Sequence, residues 1–261
     1  MKVLWIFAHP EPRSLNAALR DEGLRVLREA GHETALSDLY AMNWKPTVER
    51  DDFGFDDCMP NDRIALPHES KRAHQEGRLS QDIRAEQGKL DWADTIVVQF
   101  PLWWYSMPAI LKGWFDRVFV KGYAYGVLDP AHPGRTLRYG EGKLAGKRAQ
   151  VIVTTGSPAE PLGPRGINGE LEEVLFPLLH GTLWYAGIAA LPPLAIYGAD
   201  QVDATQYEEA AALVRKCMDS LADAEPIPYR YQNRGDYDDN LVLRPEHAPG
   251  QSGLSVHLDG Q

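Results

Sequence analysis

Five short apolar runs punctuate this chain, and most are followed by a segment whose apolar positions recur at helical spacing. Residues 2–8 are almost wholly apolar and predict a strand buried on both faces. After a loop from His9 to Arg13, Leu15, Leu19, Leu24 and Leu27 trace a helix that Ser14 or Asn16 could cap and Gly31 ends. A second strand is expected over 33–39 and a short helix over 81–92. The third strand, Thr95-Ile96-Val97-Val98-Gln99-Phe100, is cut by Pro101. It leads through Leu102-Trp103-Trp104-Tyr105 to Pro108, where Ile110, Leu111, Trp114, Phe115 and Val118 open a helix over 108–120. A fourth strand covers 148–154, an amphipathic helix 170–186, a fifth strand 189–197 and a helix 203–222.

Five such β/α units predict an α/β fold, a doubly wound parallel sheet of about five strands with helices on both faces. Two segments stand outside the pattern. Residues 42–80 are a polar excursion, and the residues from 225 are rich in Pro, Gly, Asp and Arg. The expected division is a domain over 1–224 and an extended arm over 225–261, wrapped on its own or a partner subunit or left disordered.

Composition narrows the class. With 44% hydrophobic and 25% charged residues over 261 positions, the chain reads as a soluble globular protein. Its formal charge of −10 argues against nucleic acid or an anionic membrane as partner. No apolar run approaches the roughly 18 residues of a membrane span. The continuation His9-Pro10-Glu11-Pro12-Arg13 suits a signal peptide poorly. Cys58 and Cys217 are far apart, which predicts free thiols and a cytoplasmic home. His68 and His74 lack a ligand cluster, so no metal site is expected.

Candidate chemistry gathers at strand ends, where an open α/β sheet forms its ligand crevice. The helix start at Ser14 offers free N–H groups and a positive dipole for a phosphate, although capping alone explains Ser14 and Asn16. Trp103, Trp104 and Tyr105 offer a flat face to a planar ligand; core packing or a dimer contact would also explain them. Thr154-Thr155-Gly156-Ser157 can bring backbone N–H groups close to a ring, or be an ordinary turn.

These segments together resemble the flavodoxin-like NAD(P)H:quinone oxidoreductases of the DT-diaphorase type. The likeness lies in Ala8-His9-Pro10-Glu11 through Ser14-Leu15-Asn16, in 76–87, in 100–105 through Trp114-Phe115-Asp116-Arg117, in Thr154-Thr155-Gly156 and in Gly253-Leu254-Ser255-Val256. The resemblance implies a homodimer holding FAD, or FMN, reduced by NAD(P)H and reoxidised in two-electron, ping-pong fashion by a quinone or other aromatic acceptor. It places His9, Ser14, Leu15 and Asn16 on the ribityl-pyrophosphate part. Pro101, Leu102, Trp103, Trp104 and Tyr105 would line the flavin ring, and Thr154, Thr155, Gly156 and Ser157 its polar edge. Trp104, Tyr105, Tyr125, Asn168 and Tyr185 would wall the substrate pocket, with Gly156 and Asn168 at the reacting centre.

The family's Tyr and His that neutralise charge on reduced flavin correspond to Leu162 and Asn168, and its adenine-contacting Gln to Ala65. Leucine cannot donate a hydrogen bond, and asparagine cannot become a cation. Reduction of azo or nitro aromatics or of free flavin is the alternative activity. An ancillary regulatory subunit of a potassium efflux transporter is the alternative outside enzymes.

Overall fold

Both faces of β1 (Lys2–Phe7) are covered, which is why its sequence carries no alternation. Val3, Trp5 and Phe7 pack under one helical layer, while Leu4 and Ile6 pack under the other. The computed structural model describes residues 1–54 and 63–259, so Cys58 lies outside the described residues. β2 (Glu33–Asp38), β3 (Thr95–Pro101), β4 (Arg148–Thr154) and β5 (Ala189–Ala190) complete a parallel sheet in the order β2-β1-β3-β4-β5. The sheet is doubly wound, as expected.

The fifth strand differs from expectation. Residues 189–197 hold two short pieces, β5 and β6 (Leu194–Ile196), both paired with β4. Pro192 and Pro193 fall between them and bring no N–H to a ladder. Gln150 bridges the gap, its amide donating to the Pro192 carbonyl at 3.0 Å.

α1 (Leu15–Glu29) and α7 (Ala204–Asp219) pack together over one face, and α3 (Gln81–Trp92) and α4 (Ala109–Val118) cover the other. Of the two candidate caps for α1, Ser14 is the one used: its Oγ accepts from the Ala17 N–H at 3.2 Å. Gly31, at φ 79°, turns the chain out of the helix in the left-handed region.

The helix expected over 170–186 is three pieces: α5 (Leu171–Val174), α6 (Phe176–Leu178) and a π-helical turn at Leu179–Trp184. Pro177 removes one helical donor, and the Tyr185 N–H reaches the His180 carbonyl, five residues back, at 3.0 Å. The wider turn brings His180 and Tyr185 against the same ring, Tyr139, each at 5.0 Å.

The described part of 42–80 carries a 3₁₀ turn, Arg50–Phe53, and α2 (Leu66–Gln75). α4 anchors it through Arg117, which is nearly fully buried. Its guanidinium donates to Asp52 at 2.7 Å and to the Lys45 carbonyl at 3.1 Å, pairs with Asp82 at 2.7 Å and lies on Trp44. The C-terminal segment closes on its own subunit. The Ile227 N–H bonds the Ala190 carbonyl at 2.8 Å, Trp184 Nε1 donates to Arg230 O at 3.1 Å, and buried Arg230 holds Val256 O and Asp236. Cys217 is a free thiol pushed up to about 11 by burial. No helix among the described residues is long and apolar enough to cross a membrane.

Candidate active site

The ends of β1, β3 and β4 are neighbours in the sheet, so the three loops expected to carry chemistry meet at its carboxyl edge. Asn16 ties two of them. Freed from capping, its side chain is buried, and Nδ2 donates to Thr154 Oγ1 at 2.7 Å. Its Oδ1 is sealed and has no partner. Buried acceptors are almost always bonded, so this one marks a missing donor. The Leu15 and Asn16 N–H groups make no bond within the described chain, and the first turn of α1 carries no acidic residue. That end of α1 is therefore open to an anion.

Behind Asn16 stands Gln99, buried in β3. Its amide donates to Asn16 O at 2.8 Å, and its Oε1 accepts from Trp5 Nε1 at 3.0 Å. Sequence reasoning passed over Gln99, although an amide within an otherwise apolar run was a signal. Gln99→Leu strands both partners and is expected to cost about 3 kcal/mol in urea unfolding. An unchanged midpoint would show that the network carries no stability.

Pro101 is the last residue of β3, and the Leu102 N–H bonds Thr154 O at 2.8 Å. Trp103 and Ser106 exchange two backbone bonds, each 3.0 Å, around Trp104 at φ 50° and Tyr105 at φ 57°. Positive φ at both central positions makes this a type I′ turn, whose usual occupants are Asn and Gly. It holds the Trp104 side chain out in solvent, 96% exposed, and the ring of His9 lies 6.5 Å from Trp103.

The Tyr105 hydroxyl donates to Asn168 Oδ1 at 3.0 Å, which brings Asn168 to the aromatic turn. Thr155 N–H bonds Ile196 O, and Ser157 N–H bonds Thr155 Oγ1. At Gly156 a Cβ would meet an Asp200 carboxylate oxygen at 2.1 Å, so a bare backbone is required there while Asp200 keeps its place. Nothing in the sequence pointed to Asp200. Leu162 is buried in a 3₁₀ turn, Glu160–Leu162.

Tyr125 joins Tyr105 along a cavity of about 570 Å³ that also touches Met107, Phe115, Pro177 and Thr182. Tyr185 is not on that cavity; it packs edge-on to Tyr139. Burial, with Tyr185 nearby, raises the Tyr125 hydroxyl above its ordinary pKa, so it remains a neutral donor at pH 7. Within one chain, then, the loops at 9–16, 101–106 and 154–157 and Asn168 form one constellation, and Tyr139 and Tyr185 form another.

The model of the flavodoxin-like fold family matches residues 1–217. A ribosyldihydronicotinamide dehydrogenase-like protein of Penicillium crustosum is 46% identical over 98% of this chain and 95% of its own. The NAD(P)H dehydrogenase [quinone] 1 of Rattus norvegicus is 37% identical over 98% of this chain and 92% of its own. A crystal structure of a suggested quinone reductase from Klebsiella pneumoniae superposes with a TM-score of 0.94 at 53% identity, covering 99% of each chain.

Proposed function

The chain belongs to the flavodoxin-like fold family, and from that premise we propose that it is a flavin-dependent NAD(P)H:quinone oxidoreductase. The observation that carries the reading is the open start of α1, where the Leu15 and Asn16 N–H groups are unbonded, at the same sheet edge as the aromatic turn. The free N–H groups of Leu15 and Asn16 suit a phosphate, and Ser14 and His9 border that end. Leu102 through Tyr105 and Thr154 through Ser157 would bracket the ring, with Pro101 fixing where the loop leaves the strand. FAD is the proposed flavin, with FMN the smaller alternative.

Flavin, when bound, would supply the hydride-transfer chemistry between the nicotinamide donor and the quinone. The protein's own part is placement. Trp104 and Tyr105 offer a water-excluding face, and holding the reactants stacked is a proximity effect. Asn168, bonded at its oxygen by Tyr105, keeps its amide N–H groups for the acceptor's oxygen. Trp104 and Ile167, each 96% exposed, together with the separate Tyr139–Tyr185 pair, support a homodimer in which a second copy covers the turn and completes the pocket. We place the flavin domain at 1–224 and the arm at 225–261, and the home in the cytoplasm. The Penicillium relative favours a second reading of the donor, dihydronicotinamide riboside in place of NAD(P)H.

Anaerobic titration of the purified protein tests the assignment. NADPH, or the riboside in a parallel run, is expected to bleach flavin absorbance in one step, and benzoquinone to restore it. A protein that arrives colourless and takes up neither FAD nor FMN refutes it. Asn168→His adds a group that titrates near neutrality, so flavin reduction should become several-fold faster as pH falls through about 6.5. Equal rates and an unchanged pH profile would show that Asn168 leaves that charge untouched.

A further inference from the structure

The segment that follows the split fifth strand holds the Thr154–Ser157 loop in place. The Thr155 N–H bonds Ile196 O at 2.9 Å, the Ala199 N–H bonds Thr155 O at 2.9 Å, and the Gly198 N–H bonds Ser157 O at 3.1 Å. These backbone bonds deliver the next residue, Asp200, onto Gly156. The point that a Gly156 Cβ would occupy lies 2.1 Å from Asp200 Oδ2, 2.6 Å from Cγ and 2.8 Å from Oδ1, so the carboxylate rests against bare backbone.

The Asp200 carboxylate makes no hydrogen bond or ion pair with a described residue, and the cap of α7 is Asp203 instead. The loop therefore carries a fixed negative charge that no described cation neutralises. Under the proposed function this loop brackets the flavin ring, and the inference rests on that assignment. Hydride transfer delivers two electrons and one proton, so the ring gains one negative charge until a second proton reaches it. The two positions where the resembled family neutralises that charge hold Leu162 and Asn168, and neither can become a cation. Asp200 adds a like charge to a site already short of positive charge, and like charges at close range disfavour the charged form.

We propose that Asp200 is a tuning residue: its carboxylate, pinned on Gly156, resists the charge that reduction puts on the flavin and makes the reduced flavin a stronger donor to the acceptor. Asp200→Asn tests it, because the amide keeps the shape and removes the charge. Flavin content is measured first, and a wild type that takes up neither FAD nor FMN ends the flavin assignment and this inference together. In loaded protein, equilibration with a dye of known potential should show the Asp200→Asn flavin about fivefold easier to reduce at low salt. For a two-electron couple that is about 20 mV. The gap should shrink at about 1 M salt, where charges are screened within about 3 Å. Asp200→Glu, which keeps the charge, should stay within about twofold of the wild type. In rapid mixing, dihydronicotinamide riboside, which carries no phosphate, should reduce Asp200→Asn several-fold faster, and benzoquinone should reoxidise it more slowly. A role in shape alone would move both half-reactions the same way and ignore salt. A flavin bound to Asp200→Asn at the wild-type potential overturns the inference and leaves the flavin assignment standing. So does a shift of equal size at low and high salt.

Discussion

Replacing Trp104-Tyr105 by Asn-Gly is expected to stabilise the flavin-free protein by about 2 kcal/mol while lowering quinone reduction at least about 100-fold. The two effects have one origin. Both residues occupy the left-handed region, at φ 50° and 57°, where a bulky side chain costs about 1 kcal/mol or more. The Trp104 indole, almost wholly exposed, recovers none of that through packing in the single chain. Asn-Gly adopts the same turn without strain and keeps the paired bonds between Trp103 and Ser106. The melting temperature should rise by about 5 °C for a chain of this size. Activity falls because the ring face and the hydroxyl that holds Asn168 are both gone. A variant less stable than the wild type would show that the turn is relaxed and that the aromatics are held by packing.

Asp52→Ala should cost about 3–5 kcal/mol, because it leaves a buried guanidinium short of charge. Burial alone would raise the Asp52 carboxyl, but Arg117 and its other donors outweigh it and hold the carboxyl below its ordinary value. The stabilisation is therefore full at neutral pH and is lost as pH falls from the unfolded Asp range through the lower folded value. Asp82, more than two-fifths exposed, remains as the guanidinium's other anion, so the cost belongs at the lower end of the range. Urea unfolding gives the number, and the pair Asp52→Leu with Arg117→Met should return most of it. A loss under about 1 kcal/mol would mean that water reaches Arg117 once the carboxylate is removed.

The parallel sheet and the crevice were legible because unalternating β-branched runs such as Thr95–Val98 belong where both faces are buried. Strand-end loops then follow from topology. What escaped depends on contacts distant in sequence. Ser14 and Asn16 are equal as caps on paper; the sheet separates them by placing Thr154 beside Asn16. The leucine periodicity over 171–183 survives a π-helical turn almost unchanged, so only Pro177 hinted at the break. Asp200 lies beyond a strand split by two prolines, and its closeness to Gly156 comes from that irregular path. Tyr185 was expected on the substrate pocket, and within one chain its ring meets Tyr139 rather than the turn at 103–106.

The bond from Ile227 to Ala190 has a consequence in time. A sheet margin left bare is a template on which another strand can pair, and the cell meets such margins first on the ribosome. β5 is complete when residue 190 has emerged, but the strap that closes over it comes from residues 227–258. At ordinary rates of synthesis the nascent chain carries that margin open for on the order of several seconds. The same dipeptide that splits the fifth strand, Pro192-Pro193, follows at once and offers no N–H to an intruder. During that interval the strand's continuation has two successive positions with no N–H for a neighbouring chain to pair with.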